Sequence, residues 1–272
     1  LCSVRWRCPA EKELKGDQKA MIDLRGKVIL ITGASRGIGA GIARVLGKAG
    51  AELILHYGRS RAQAEALARE IGLDRTRLLE ADLSREEALL RLWEEALRWR
   101  GRIDVLVNNA GVAIAAAPES DLEQWRAAWE ETWRINVLAA AHLCREAIAH
   151  FRARGGGVII NIASRAAFRG DTPEYLAYAA SKGALVALTR SIARGYGSDN
   201  ITAFVVAPGF VRTDMAEAFI QRYGLDYVTG DIPLGQMAEP EDVGYVVAFL
   251  ASGLARHATG ATIDINGASY VH

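Results

Sequence analysis

Seven short apolar runs separated by helical patterns constrain this chain more than any other feature. They are VILIT (28–32), ELILHY (52–57), RLLEA (77–81), IDVLVNN (103–109), VIINIAS (158–164), ITAFVVA (201–207) and TIDIN (262–266). Runs of this length and composition are typical of strands buried on both faces. Helical patterns fall between them, at 38–49, 60–71, 85–100, 121–154, 175–196 and from Pro240 onward. Regular strand–helix alternation builds a parallel sheet with helices on both faces. The expectation is one doubly wound α/β domain over 21–272 with a seven-stranded parallel sheet. Ser60 is the expected cap of its helix, and Ser84 with Glu87 the expected capping box of the next. The 121–154 stretch is long enough to be bent or split. Pro240, followed by Glu241 and Asp242, suits a helix start. Residues 213–238 show no strand pattern and read as a helical lid or substrate loop.

With 33 Lys and Arg against 32 Asp and Glu, the chain has no basic field to attract nucleic acid or an anionic membrane. No run of about 18 apolar residues suggests a membrane span. Cys2, Cys8 and Cys144 form neither a disulfide framework nor a metal cluster, which fits a reducing, cytoplasmic setting. Cys144 reads as a small buried hydrophobe. The five histidines lack metal-ligand spacing, so no metal is expected. Residues 1–20 are charged and have no apolar core of a signal sequence. They read as a poorly ordered extension, with Met21 a candidate functional start. Trp125, Trp129 and Trp133, four apart, mark a core or oligomer-facing stripe.

The chemistry begins at TGASRGIG (32–39), which leaves the first strand and opens a helix. Gly33 permits a sharp exit, Gly37 a close approach to a pyrophosphate, and Gly39 tight packing of helix on sheet. Ser35 and Ile38 complete the cradle, which suggests a Rossmann-type nucleotide site. At the end of the second strand, His56-Tyr57-Gly58-Arg59-Ser60 contains no acid to hold a ribose 2′-hydroxyl. Arg59, Ser60 and Arg36 suit a 2′-phosphate, so NADP(H) is preferred and NAD(H) is the alternative. Read alone, both arginines also fit as solvated surface residues. Downstream, Tyr178 and Lys182 stand four apart within YAASK and share a helix face. An ammonium beside a phenol, whose ordinary pKa is near ~10, favours proton exchange at neutral pH.

Several motifs recur in register: TGASRGIG, Asp82 after the third strand, NNAG (108–111), Asn136, Ser164, YAASK (178–182) and PGFVRT (208–213). From about Leu24 onward the chain resembles the short-chain dehydrogenase/reductases. IPLGQMAEPEDV (232–243) and TGATIDINGASY (259–270) are most similar to the 3-oxoacyl-acyl-carrier-protein reductase branch. The resemblance implies Tyr178 as acid–base, with Lys182 lowering its pKa and binding the nicotinamide ribose. It implies Ser164 polarising a substrate carbonyl and Asn136 holding a water behind Lys182. Asp82 and Leu83 would hold the adenine. Asn109, Ala110 and Gly111 would run along the cofactor, with Asn108 bracing backbone. Pro208, Gly209, Val211 and Thr213 would approach the carboxamide. On the residues alone, Asn136 is also a satisfied buried amide, Ser164 a cap, and Asp82 a cap for the following helix. Thirteen residues separate Ser164 from Tyr178, one more than the commonest family spacing, with the extra residue expected at the pocket rim.

The implied activity is hydride transfer between NADP(H) and a carbonyl or alcohol: a 3-oxoacyl thioester, or a small ketone, sugar or steroid-like alcohol. An NAD-dependent sugar or alcohol dehydrogenase and a catalytically dead nucleotide-binding protein are the alternatives. A homotetramer is expected through the helices at 121–154 and 175–196. Ala139, Ala140, Ala141, Ala147 and Ala149 crowd the first, and Ala179, Ala180, Ala184 and Ala187 line the second.

Overall fold

VILI becomes β1 (Val28–Ile31), whose side chains alternate between two cores as a pleated strand requires. The remaining strands are β2 (Glu52–Tyr57), β3 (Thr76–Glu80), β4 (Val105–Asn108), β5 (Gly157–Ile162), β6 (Ile201–Pro208) and β7 (Thr262–Ile265). Helices α1 (Gly37–Lys48), α2 (Arg61–Ile71) and α3 (Glu86–Arg100) join the first four strands. Then come α4 (Leu122–Trp133), α5 (Ala139–Arg154), the single turn α6 (Ala166–Arg169) and α7 (Leu176–Tyr196). Helices α8 (Asp214–Tyr223), α9 (Leu225–Thr229) and α10 (Pro240–Ser252) lie between β6 and β7. This computed structural model describes residues 22–271, so the expected extension 1–20 and Met21 lie outside the described residues.

All seven strands pair in parallel, in the order β3-β2-β1-β4-β5-β6-β7. Ile29 and Ile31 pack on one face with Ile42, Leu46, Val243 and Val247 of α1 and α10. Val28 and Leu30 pack on the other with Leu92, Trp93, Leu143 and Phe151 of α3 and α5. The order reverses between β1 and β4, opening a crevice beyond their carboxyl ends where ligands of such sheets bind. Among the described residues, no helix is long and apolar enough to cross a membrane.

Local findings revise several expectations. The 121–154 stretch divides into two α-helices, as one of the two expectations had it. A π-helical turn at Arg134–Leu138 joins α4 to α5. One extra residue in a helical turn redirects its side chains, and here it buries Asn136. Ser84 does not cap α3, which begins at Glu86. Its N–H and hydroxyl donate to Asp82 Oδ1 at 3.0 and 2.7 Å. Asp82 thus makes a tight turn ahead of the helix. Ser60 stands at its N-cap without a side-chain bond. At α10, Glu239 N–H donates to Asp242 Oδ2 at 2.8 Å, completing a capping box with Pro240 in the first turn.

The expected interface alanines divide. Ala139, Ala140 and Ala147 are buried in the chain's own core, whereas Ala149, Ala180 and Ala187 are exposed. Trp125 and Trp129 lie against each other, ring centroids 5.2 Å apart, and Trp133 is exposed. Residues 213–238 form α8, α9 and their flanks, held by a small cluster of Ala216, Val228, Ile232 and Met237.

Candidate active site

The glycine turn lies at the crevice. Gly33 has φ +64°, in the left-handed region that glycine enters without strain. A Cβ on Gly39 would stand 2.2 Å from Gly33 O, so only glycine lets α1 begin this close to β1. Asn109 locks the arrangement by donating through Nδ2 to Thr32 O and Gly33 O at 2.9 and 3.0 Å. Thr32 Oγ1 accepts from the N–H groups of Asn109 and Ala110. Arg36 at the N-cap of α1 makes no side-chain capping bond, and the first turn holds no acid. The positive helix end can therefore receive a pyrophosphate.

His56, which sequence reasoning did not single out as functional, braces this turn from behind. Its Nδ1 accepts the Gly33 N–H at 3.0 Å, and Nε2 pairs with Ala81 O at 3.1 Å. Those partners require a neutral ring with the proton on Nε2. Burial lowers its pKa from 6.5 to about 4. The neutral form is thus favoured by folding, and this contribution is fully present above pH 6.5. It falls as pH drops toward 4, a loss of roughly 3 kcal/mol across that window. Urea unfolding of the His56→Asn variant should show a flatter acid limb than the parent. An unchanged slope would remove His56 as its source.

On the side expected to hold the adenine, Tyr57 donates to Glu80 Oε2 at 3.2 Å. The two Ser84 bonds, aided by Arg85 and Arg59, hold the Asp82 carboxyl below its usual pKa. Leu83 packs its side chain into the core. Arg59 is exposed and Ser60 half-buried beyond β2. Arg36 is not free as the sequence suggested. Its Nη1 reaches Asp214 Oδ2 at 3.2 Å, at the start of α8. Both partners are exposed, so the pair contributes at most ~1 kcal/mol and yields readily to a phosphate.

The remaining groups converge on a cavity of about 390 Å³ whose wall includes Ser164, Tyr178, Tyr175, Ile38 and Val211. Ile38 comes from the nucleotide helix, so both halves of the expected site share one space. Lys182 is buried behind Tyr178 and donates to Ile162 O at 2.9 Å. Its Nζ lies 5.6 Å from the Tyr178 ring centroid. Burial pulls the lysine pKa to about 8. The expected depression of the Tyr178 pKa by Lys182 is not what the protein alone displays. Burial of the phenol pushes its pKa up, and a Ser164 hydrogen bond opposes that rise. Ser164 Oγ also accepts the Ala166 N–H at 3.1 Å.

Asn136 uses its amide fully as a donor: Nδ2 reaches Val112 O and Ser181 Oγ, both at 2.9 Å. Its Oδ1 accepts the Val112 N–H at 2.8 Å. Ser181 in turn donates to Tyr178 O, which ties the π-helical turn to the Tyr178 segment. A Cβ on Gly111 would meet both Asn136 Oδ1 and Lys182 Nζ at 3.3 Å, placing all three together. Asn108 departs from expectation. It donates to the side chains Asn161 Oδ1 at 2.8 Å and Cys144 Sγ at 3.3 Å. Burial lifts the Cys144 thiol to about 12, which makes it unreactive.

Around the cavity, Gly209 N–H bonds Ile265 O, Pro208 O accepts the Arg165 N–H, and Thr213 caps α8. The segment with the extra residue forms the rim through Arg169, Gly170, Asp171 and Thr172. Sequence reasoning missed Arg165, Phe210, Phe219 and Asp231 on the wall. The available signals were the position of Arg165 beside Ser164, that of Phe210 within PGFVRT, and that of Phe219 and Asp231 within the expected lid. Among the described residues, no cluster of His, Cys, Asp and Glu could hold a metal ion.

This construction matches a known class. The family model described as Enoyl-(Acyl carrier protein) reductase matches residues 33–268. The chain is 35% identical over 260 residues to a hydroxynaphthalene reductase-like protein of Metarhizium brunneum, covering 90% of this chain and 96% of that one. It is 34% identical over 252 residues to the 3-oxoacyl-acyl-carrier-protein reductase of Aquifex aeolicus, covering 92% and 99%. A solved structure of a putative NAD(P) dependent gluconate 5-dehydrogenase from Beutenbergia cavernae, with bound NADP at low occupancy, superposes with TM-score 0.82. That pair is 34% identical and covers 90% of this chain and 97% of the other. The protein belongs to the short-chain dehydrogenase/reductase family and is an NAD(P)-binding oxidoreductase.

Proposed function

We propose that the protein is an NADP(H)-dependent carbonyl reductase, with Tyr178 as the acid–base group. The carrying observation is that Ser164 and Tyr178 share one cavity wall with Ile38 of the nucleotide helix, while Lys182 is buried behind them. The residues fit a dinucleotide: Gly33 and Gly39 make a cradle that a Cβ would fill, and Asn109 braces it. When bound, the nicotinamide supplies or accepts the hydride at the carbonyl carbon. Ser164 donates a hydrogen bond to the carbonyl oxygen and stabilises charge developing there. Tyr178 passes its proton to that oxygen in reduction, or takes it back in oxidation. Lys182 holds positive charge near the phenol and offers an ammonium to the ribose hydroxyls. Asn136 retains one acceptor site on Oδ1 for a water behind Lys182. A screen of NADPH and NADH oxidation with a 3-oxoacyl thioester and small neutral and acidic ketones tests this reading. Failure to oxidise either cofactor with every ketone would refute it.

The preference for NADP(H) rests on Arg59, Arg36 and Ser60 and on the lack of an acid at the end of β2. Replacing Arg36 and Arg59 together by Ala should weaken NADPH binding at least about tenfold more than NADH binding. Charge-assisted bonds to a 2′-phosphate contribute ~1.5–3 kcal/mol each. Fluorescence titration with both cofactors is the check, and equal losses would assign the arginines to another part of the nucleotide. The second reading, a sugar or alcohol dehydrogenase, is favoured by the likeness to the putative gluconate 5-dehydrogenase.

A further inference from the structure

Arg165 directly follows Ser164 and lines the same cavity, with its side chain only 10% exposed. Phe210 carries the guanidinium, with Cζ 4.7 Å from the ring centroid. Nη1 donates to Asp231 Oδ2 at 3.2 Å, and Arg169 contacts the same oxygen. Two guanidinium groups therefore share one oxygen of a single carboxylate. Asp171, another acid on the wall, forms no ion pair with either arginine, and its Oδ1 accepts the Thr172 N–H. Burial and then the neighbouring Arg169 hold the Arg165 pKa below its ordinary value, while Asp231 and Asp171 oppose that fall. The two arginines stand on the connection from β5 to α7, whereas Asp231 belongs to the covering segment after α9. The latch thus joins the wall to its cover.

We propose that Arg165 and Arg169 form an anion subsite, and that the substrate is a ketone carrying a carboxylate a few bonds from its reacting carbonyl. Asp231 occupies the subsite until the substrate carboxylate takes over. This rests on the reading of Ser164 and Tyr178 as the carbonyl-binding pair. The spacing favours a short oxo acid. Ser164 and Arg165 are consecutive and line one cavity, so the carbonyl and the anion must both fit within it. The phosphate of a carrier-protein arm is too many bonds from its thioester to meet that condition. A guanidinium can take both oxygens of a carboxylate at once, which an ester cannot match. Tyr175 and Phe210 lie on either side of Phe219, with ring centroids 5.1 and 5.7 Å from it, so the remaining wall suits an apolar body.

The test compares kcat/KM for levulinate and its methyl ester in the presence of NADPH. The parent should prefer the acid by about tenfold or more. Arg165→Met should bring that ratio close to one, and Arg169→Met, at a more exposed site, should lower it partway. Asp231→Asn should raise the ratio by freeing the subsite. A merely structural latch would instead impair both substrates alike in all three variants. Equal kcat/KM for acid and ester in the parent would overturn the subsite and leave the reductase reading intact. If neither ketone is reduced, thermal shifts with valerate and valeramide decide the subsite, and the wider ketone screen decides the carbonyl reading. A larger shift with valerate that Arg165→Met abolishes upholds it; equal shifts overturn it.

Discussion

Replacing Tyr178 by Phe should remove most turnover while leaving the fold and dinucleotide affinity close to those of the parent. The change deletes one hydroxyl and keeps the ring, including its face toward Lys182 at 5.6 Å. What is lost is the proton donor on the cavity wall and its hydrogen bond with Ser164. General acid–base catalysis is typically worth ~10²–10⁴ in rate, and a loss of that size is expected in kcat. Steady-state kinetics beside cofactor titration separates chemistry from binding. Activity within a few-fold of the parent would shift suspicion to Tyr175. That residue stands at the N-cap of α7 with its ring against Phe219, and its own i+4 position is Ala179, not lysine.

Gly39→Ala should be the most damaging single methyl group that can be added to the nucleotide turn. The new Cβ would lie 2.2 Å from Gly33 O and 2.6 Å from Asn109 Nδ2. Neither can yield cheaply, because Asn109 already bonds Thr32 O and Gly33 O. Helix α1 cannot retreat either, since a Cβ on Gly41 would already stand 2.4 Å from the Pro240 backbone of α10. Overpacking of this kind costs ~1–3 kcal/mol or more. The cradle must also open, so NADPH affinity should fall together with the urea midpoint. Gly195→Ala is the matched control, in α7 with nothing near its added methyl. It should stabilise by about 0.5–1 kcal/mol through the helix preference for alanine over glycine. A Gly39→Ala protein that binds NADPH like the parent would show that the turn tolerates a side chain.

The strands were legible because their signal is local. ELILHY became β2 residue for residue, and VILIT lost only Thr32, whose hydroxyl serves Asn109 and Ala110 instead. The Tyr178–Lys182 pair was legible because helical spacing alone puts both on one face. Capping was less so. The Ser84 signal matched a capping box, but Asp82 had first claim on both Ser84 donors, and α3 started later. Competition between neighbouring side chains for the same hydrogen bond is not readable from residue types.

By itself the sequence determined a parallel α/β sheet, a glycine turn at a helix start, and a phenol and ammonium on one helix face. Each follows from chain-local geometry: period two, period 3.6, and positions where a Cβ is excluded. Tertiary structure alone decided which distant groups meet. His56 stands 23 positions from the Gly33 it braces, and Asp231 stands 66 positions from the Arg165 it holds. It also decided that burial, acting before any neighbouring charge, raises the Tyr178 pKa and pulls Lys182 to about 8. Desolvation and ion pairing depend on what surrounds a group in space, and for these residues those surroundings come from segments far apart in the chain.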